Sequence, residues 1–172
     1  MQTMEINIRL AGIIKESVVD GLGIRYVLYA QGCPHLCKGC HNPSTHSFEG
    51  GEIMDVESIT YDIKKHPMLD GLTCSGGECF EQAEEFALIA KAVKAMGLNV
   101  WAYTGYTLEE ILQYKNERSG WNDFIKYIDV LVDGKYQEDN KDLELCFRGS
   151  SNQRIIDMQK TLHAGKLSLL TL

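Results

Sequence analysis

Along the chain, apolar positions switch repeatedly between strand-like runs and a helical spacing. "GIRYVLYA" (23–30) is apolar on both faces apart from Arg25, as in a strand covered on both sides. "DVESITYDIKKH" (55–66) instead sets Val56, Ile59 and Ile63 on one helical face, with Asp55 as N-cap and Pro67 as the stop. "GLTCS" (71–75) predicts a second strand that runs into Gly-Gly-Glu. From Glu81 to Met96, Ala83, Phe86, Ala87, Ala90 and Val93 share a face, and Gly97 stands where a helix C-cap belongs. "LNVWAY" (98–103) predicts a third strand, and "TLEEILQYK" (107–115) opens a helix with a Thr107/Glu110 capping box. A further helix covers Trp121–Tyr127, and "IDVLV" (128–132) is a fourth buried strand closed by the turn "DGK". Ser150, Ser151 or Asn152 stands ready to cap a helix beginning near Gln153, and the tail "KLSLLTL" predicts a last edge strand.

Strand and helix alternate four times, which implies an α/β class with a mostly parallel sheet and right-handed crossovers. Each special loop follows the carboxyl end of a strand: a cysteine-bearing loop, then "SGGE", "TGYT" and "VDGK". Ligands bind at that edge in barrels and open α/β sheets, so the four loops are expected to face one site. Four repeats do not close an eight-stranded barrel. The expectation is a partial (β/α) barrel with an added N-terminal strand near residues 4–14.

A length of 172 residues suits a single domain over 1–172. The hydrophobic fraction of 44% and charged fraction of 24% are those of a globular chain, without repeats or low-complexity tracts. "MQTMEINIRL" alternates polar and apolar residues where an export signal would be continuously apolar, and no run approaches a membrane span. A soluble, cytoplasmic protein without a membrane role is expected. A net charge of -7 argues against nucleic acid, whose phosphates call for clustered Lys and Arg, and points to proteins or small molecules as partners.

Of the six cysteines, three crowd into "GCPHLCKGCHN" as Cys33, Cys37 and Cys40, a pattern of metal binding in a reducing compartment. The scattered Cys74, Cys79 and Cys146 read as small buried hydrophobes. Thiolates select zinc, copper(I) or iron-sulfur clusters, and a cubane cluster takes one ligand per iron. Three protein ligands leave one iron open for a substrate or cofactor. His35, His41 and His46 lie near enough in sequence to supply a fourth ligand, so a zinc-stabilised α/β binding module stands as the alternative. A purely electron-transferring cluster fits less well, because such clusters take all four ligands from protein.

The spacing CxxxCxxC resembles that of the radical S-adenosylmethionine (SAM) enzymes. "DGLGIRYVLYAQGCPHLCKGCHNPSTHSF", "TCSGGECF", "WAYTGYTLEE", "DVLVDGKY" and "FRGSSNQRIID" spread the likeness over residues 20–157. Taken together they are similar to the anaerobic ribonucleoside-triphosphate reductase activating proteins, a family of glycyl-radical activating enzymes. The pyruvate formate-lyase activating enzyme shares the cysteine spacing, but its chain is longer and "RGSSNQR" does not fit it.

The resemblance implies a partial barrel of the radical SAM type, in which Cys33, Cys37 and Cys40 hold a 4Fe-4S cluster and its open iron chelates the methionyl part of SAM. Backbone around Gly39, Cys40 and His41 would contact SAM, with His41 near the adenine. Gly76 and Gly77 would allow close backbone approach, and Glu78 would accept a hydrogen bond from the SAM ammonium group. Thr104 and Asp133, at later strand ends, are secondary candidates for facing SAM. The implied partners are the anaerobic reductase as protein substrate and reduced flavodoxin or a similar electron donor. Read without the resemblance, "GGE", "YTGY" and "LVDGK" are ordinary turns, and Asp20 and Arg25 are a turn acid and a strand-edge base able to form a salt bridge. Two positions depart from the family pattern: Leu22 replaces a proline, and Cys79 follows Glu78 where proline is usual.

Overall fold

The computed structural model describes residues 5–172. Its strands are β1 (Asn7–Ser17), β2 (Arg25–Ala30), β3 (Glu52–Asp55), β4 (Gly71–Gly76), β5 (Asn99–Tyr103), β6 (Val130–Asp133) and β7 (Arg154–Asp157). They form one seven-stranded sheet in the order β3-β1-β2-β4-β5-β6-β7. The four central strands, β2, β4, β5 and β6, run parallel. Both margins turn antiparallel, at β3–β1, β1–β2 and β6–β7. The sheet is mixed and open, with β3 and β7 as its edges.

Five helices connect or follow these strands: α1 (Val56–Lys64), α2 (Ala83–Ala95), α3 (Leu108–Tyr114), α4 (Trp121–Tyr127) and α5 (Met158–Ala164). The two faces of the sheet differ sharply in what they bury. Strand residues Tyr26, Leu28, Leu72, Val100, Leu131 and Ile156 join the core that all five helices complete. The alternate positions Trp101, Val130, Val132 and Ile155 form a smaller cluster with Tyr103, Phe147 and Leu170, to which no helix contributes. Period-two alternation thus assigns the helices to one side of the sheet and leaves the other for a site. Under the helices, Phe80 meets Trp121 and Phe124 at ring separations of 5.4 and 4.9 Å, and Phe86 stacks on Phe124 at 5.8 Å. Truncating a ring in such a cluster costs about 3–5 kcal/mol.

Local signals account for the helix ends. Asp55 accepts from the Ser58 amide ahead of α1, and Thr107 and Glu110 form the reciprocal capping box ahead of α3. Gly97, at a φ of +80°, closes α2.

Several expectations are revised. The N-terminal strand begins at Asn7 and runs on to Ser17; of its expected span 4–14, residue 4 lies outside the described residues. The helix expected from Glu81 starts at Ala83, because Cys79–Gln82 form a 3-10 turn capped by the Glu78 side chain. Near Gln153 there is no helix start: Ile155 and Ile156 are consecutive and both buried, one on each face of the sheet, which a strand achieves and a helix does not. The helix follows as α5, capped by Asp157. The tail reduces to a bridge between Ile156 and Leu169. Arg25 is fully buried and makes no salt bridge with Asp20; it bonds Thr73, Asn99 and the Leu72 carbonyl. Cys74 and Cys79 are buried as expected, whereas Cys146 is exposed. Among the described residues, no helix is long and apolar enough to cross a membrane.

Candidate metal centre

The loop that leaves β2 carries the three clustered cysteines, and its shape follows from where its backbone groups bond. Gly32 and Cys33 donate to the Thr45 and His46 carbonyls at 2.8 and 3.1 Å, closing the excursion at its base. The Gln31 side-chain amide, itself buried, donates to the Ser44 and Ser47 carbonyls at 3.0 and 2.6 Å. Between the cysteines the chain reverses twice through positive φ, at Leu36 (+49°) and Gly39 (+76°), and the Cys40 amide turns back to the Cys37 carbonyl at 3.2 Å. A leucine in the left-handed region is uncommon.

The loop after β4 lies directly on this one. Gly77 and Glu78 donate to the Ala30 and Gly32 carbonyls, both at 2.8 Å. A Cβ on Gly76 would meet Tyr29 at 2.6 Å and one on Gly77 would meet the Ala30 carbonyl at 3.0 Å, so both glycines are fixed by backbone passing close to backbone.

These loops bound a cavity of about 430 Å³ at the carboxyl ends of the four parallel strands, on the face that the helices leave free. Cys33, Cys37, Cys40 and His41 line it from the first loop, Gly76 and Gly77 from the second, and Thr104 from the third. His35 and His46 border it as well. Its far wall comes from Tyr136, just past the turn after β6, and from Phe147, Arg148, Gly149 and Gln153, hidden in a block that reads as a helix cap. There Gln153 accepts from the Gly149 amide at 2.9 Å and donates to the Gly134 carbonyl at 3.0 Å, lashing the last loop to the wall. Ser150 accepts from the Gln137 amide, and Asn152 donates to the Lys135 carbonyl at 2.8 Å. The buried Arg148 Nε has no protein partner.

Two expected residues stand differently. Glu78 is fully buried beneath the cavity and is not part of its lining. Its carboxylate already accepts from His35 Nε2 at 2.7 Å, from Thr104 Oγ1 and the Gly105 amide at 2.9 Å, and from the Phe80 amide at 3.0 Å. Asp133, also buried, accepts from Arg154 and from the Leu108 amide at 2.8 Å, away from the cavity.

The donor set suits a cluster. All three cysteines are partly exposed, unpaired thiols on one cavity wall. Desolvation pushes the Cys33 thiol up to about 11, partly offset by the nearby backbone N–H groups of His35 and Leu36. Binding a metal must therefore displace its proton at neutral pH. Among the described residues, no three Cys, His, Asp or Glu side chains converge to the spacing of a single ion. A cubane spreads its thiolates around several irons, and a cavity of this size leaves room beside it.

Comparison with known proteins agrees with this chemistry. Residues 19–156 match the family described as "4Fe-4S single cluster domain". The chain is 36% identical over 146 residues to the anaerobic ribonucleoside-triphosphate reductase-activating protein of Haemophilus influenzae, covering 80% of this chain and 90% of that protein. It is 38% identical over 146 residues to the protein of that name from Vibrio cholerae, with the same coverage. The counterpart from Enterobacteria phage T4 is 35% identical over 144 residues, 80% of this chain and 86% of its own. With most of its length matched in this way and the 4Fe-4S family spanning residues 19–156, the chain belongs to the family of anaerobic ribonucleoside-triphosphate reductase-activating proteins.

Proposed function

We propose that this protein activates an anaerobic ribonucleoside-triphosphate reductase by placing a radical on a glycine of that partner, as a radical SAM oxidoreductase. The observation that carries the reading is the meeting of Cys33, Cys37 and Cys40 with the loops of three further parallel strands around one cavity. In it, the three thiolates hold a 4Fe-4S cluster. SAM lies beside the cluster, against the backbone of Gly39, Cys40 and His41 and over Gly76 and Gly77; of these, Cys40, His41, Gly76 and Gly77 line the cavity. Bound together, cluster and SAM supply reductive cleavage of the sulfonium to methionine and a 5'-deoxyadenosyl radical. The protein's part is to orient the two and keep water from the radical. Glu78 serves this site through His35 and Thr104, since its carboxylate is already fully bonded.

The whole chain is read as one domain in a partial (β/α) barrel. Five helices on one face support this, because crossovers that all return on the same side curl a sheet toward a barrel. The sheet stays open, with β3 and β7 as its edges, and a partner's chain reaches the cavity from the free face. Reduced flavodoxin or a similar donor supplies the electron. An acidic protein with net charge -7 suits a protein substrate better than nucleic acid.

The test mixes anaerobically reconstituted protein, reductant, SAM and purified anaerobic reductase, and looks for a glycyl-radical doublet by electron paramagnetic resonance. A doublet on the reductase is expected. A doublet only on pyruvate formate-lyase would keep the chemistry and reassign the partner. Zinc without acid-labile sulfide in the purified protein would make it a zinc-stabilised binding module instead.

A further inference from the structure

Among the described residues, the Nε of Arg148 is the one buried side-chain donor or acceptor without a hydrogen-bond partner. The other arginines are occupied: Arg154 forks onto Asp133 and Glu109, Arg118 meets Glu81, Arg25 bonds Thr73, Asn99 and the Leu72 carbonyl, and Arg9 bonds the Glu49 and Gly50 carbonyls. Arg148 pairs with no acidic side chain of the described residues. Its guanidinium is tethered only through Nη1, which donates to the Gln153 carbonyl at 2.8 Å. The backbone is fixed on both sides of it. Phe147, at a φ of +54°, sets its ring edge-on to Trp101 at 5.4 Å, and the Gly149 and Ser150 amides donate to the Gln153 side chain at 2.9 and 3.2 Å. Arg148 lines the cavity, and among the described residues no other Lys or Arg does. Tyr136 links it to the cysteine loop: the Tyr136 ring lies 5.2 Å from that of His41, and a Cβ on Gly149 would stand 3.1 Å from the same ring.

We propose that Arg148 binds the methionyl carboxylate of SAM through its Nε–Nη2 edge, and so selects SAM from adenosyl compounds that lack that group. The inference rests on the SAM reading above. In a guanidinium, Nε and Nη2 share the side-on edge that matches the two oxygens of a carboxylate, whereas Nη1 points the other way. Here Nη1 is spent on the protein and the matching edge is not. A buried donor without an acceptor is rare in a native fold and marks a partner still to come. SAM carries one carboxylate and no phosphate, so the carboxylate is the group in it that such a fork recognises. A carboxylate has lone pairs enough to be shared between an iron and an arginine.

The test uses reconstituted protein kept unreduced, so that SAM binds without being cleaved. Equilibrium dialysis compares SAM with decarboxylated SAM and 5'-methylthioadenosine, both free of the carboxylate. Arg148→Gln should lower SAM affinity by about tenfold to a hundredfold, the size of a lost charge-assisted fork. The same variant should hold the two carboxylate-free ligands within about twofold of wild type, since the group it would have met is missing from them. Arg148→Lys keeps the stem and the charge but not the fork, and should fall between wild type and Arg148→Gln. Unchanged SAM affinity in Arg148→Gln overturns the proposal; if that variant fails to retain iron and sulfide, unchanged affinity in Arg148→Lys does so in its place. An equal loss for all three ligands also overturns it, because it shows a wall displaced as a whole. Wild-type protein that carries iron and sulfide but binds no SAM would end the SAM reading and this proposal together. Wild type that binds SAM no more tightly than the Arg148 variants do sinks the proposal alone.

Discussion

Asp133 on β6 and Arg154 on β7 are direct partners across the antiparallel pair, and the Arg154 guanidinium grips both oxygens of the Asp133 carboxylate. Arg154 also forks onto Glu109 at 3.0 and 2.6 Å, while the Leu108 amide donates to Asp133 from the start of α3. One buried carboxylate therefore joins the last parallel strand, the antiparallel edge strand and a helix N-terminus.

Arg154→Met should destabilise the fold by about 2–4 kcal/mol, less than a fully enclosed pair would lose because the arginine is partly exposed. It leaves Asp133 buried without its cation. Glu109→Ala, on the exposed arm, should cost about 1 kcal/mol or less. The double variant Asp133→Asn/Arg154→Met should cost less than the sum of its parts. Chemical denaturation of wild type, Arg154→Met, Glu109→Ala, Asp133→Asn and the double variant decides the matter; equal costs for Arg154→Met and Glu109→Ala would mean that the buried arm carries no special weight.

Much of this was legible in the chain. The four parallel strands and the capped helices α1 and α3 follow from signals a few residues long, such as Asp55 before Val56 and Thr107 three residues before Glu110. The cysteine triplet is equally local. What was hidden depends on distant partners. Arg25 looked like a mate for nearby Asp20, but its bonds go to Thr73 and Asn99, brought beside it by parallel pairing. His35 and Glu78 are 43 residues apart and meet only because two strand ends are neighbours. β3 is four residues with no buried member, too short and too exposed to show a strand pattern, and exists because β1 extends alongside it. "NQRIID" offers a cap and two isoleucines, which suits a helix start as well as a strand; burial on both faces settles it only in the fold.

The cysteines divide into two classes that a simple exchange separates. Cys33→Ala, Cys37→Ala and Cys40→Ala should each prevent stable cluster assembly, since each removes one iron ligand. Replacing Cys74, Cys79 and Cys146 together by alanine should leave iron and sulfide stoichiometry unchanged. It should still cost about 1–3 kcal/mol of stability, because Cys74 and Cys79 are fully enclosed and the Cys79 thiol donates to the Tyr103 carbonyl at 3.3 Å. Loss of iron from that triple variant while it remains folded would reassign the ligands.

Asp62 on α1 links the helix to the sheet, accepting from Lys15 on β1 at 2.9 Å and from the Tyr26 hydroxyl on β2 at 2.7 Å. The Lys15 contact first, then the Tyr26 hydroxyl, holds its carboxyl below the usual range. A depressed value stabilises the fold above the unfolded carboxylate pKa of about 3.9, and that contribution is lost as pH falls through the folded value. Wild type should therefore exceed Asp62→Asn in stability by a constant margin above about pH 5, and the margin should close in stronger acid. Denaturation midpoints of the two proteins across that interval test it; a margin that persists unchanged to pH 2 would show that the carboxylate's charge is not involved.

Gly39 is the residue at which the cysteine loop comes hardest against the last loop of the site. Its φ of +76° excludes most side chains, and a Cβ would run into the Glu138 carboxylate, which is itself held by the Tyr136 hydroxyl at 2.7 Å. Two separate costs are superposed there, and they respond differently to a second change. Glu138 is exposed, and its removal clears the collision while leaving the backbone strain in place. Gly39→Ala should therefore weaken iron retention, and adding Glu138→Ala should restore part of the loss, leaving the residual of about 1 kcal/mol that a left-handed alanine carries. In that cleared background Gly39→Asn should do better than Gly39→Ala, because asparagine tolerates the left-handed region. Iron bound per chain after reconstitution under a competing chelator gives the ranking. Complete rescue of Gly39→Ala by Glu138→Ala would mean that only the collision matters, whereas no rescue at all would place the whole requirement in the backbone turn between Cys37 and Cys40.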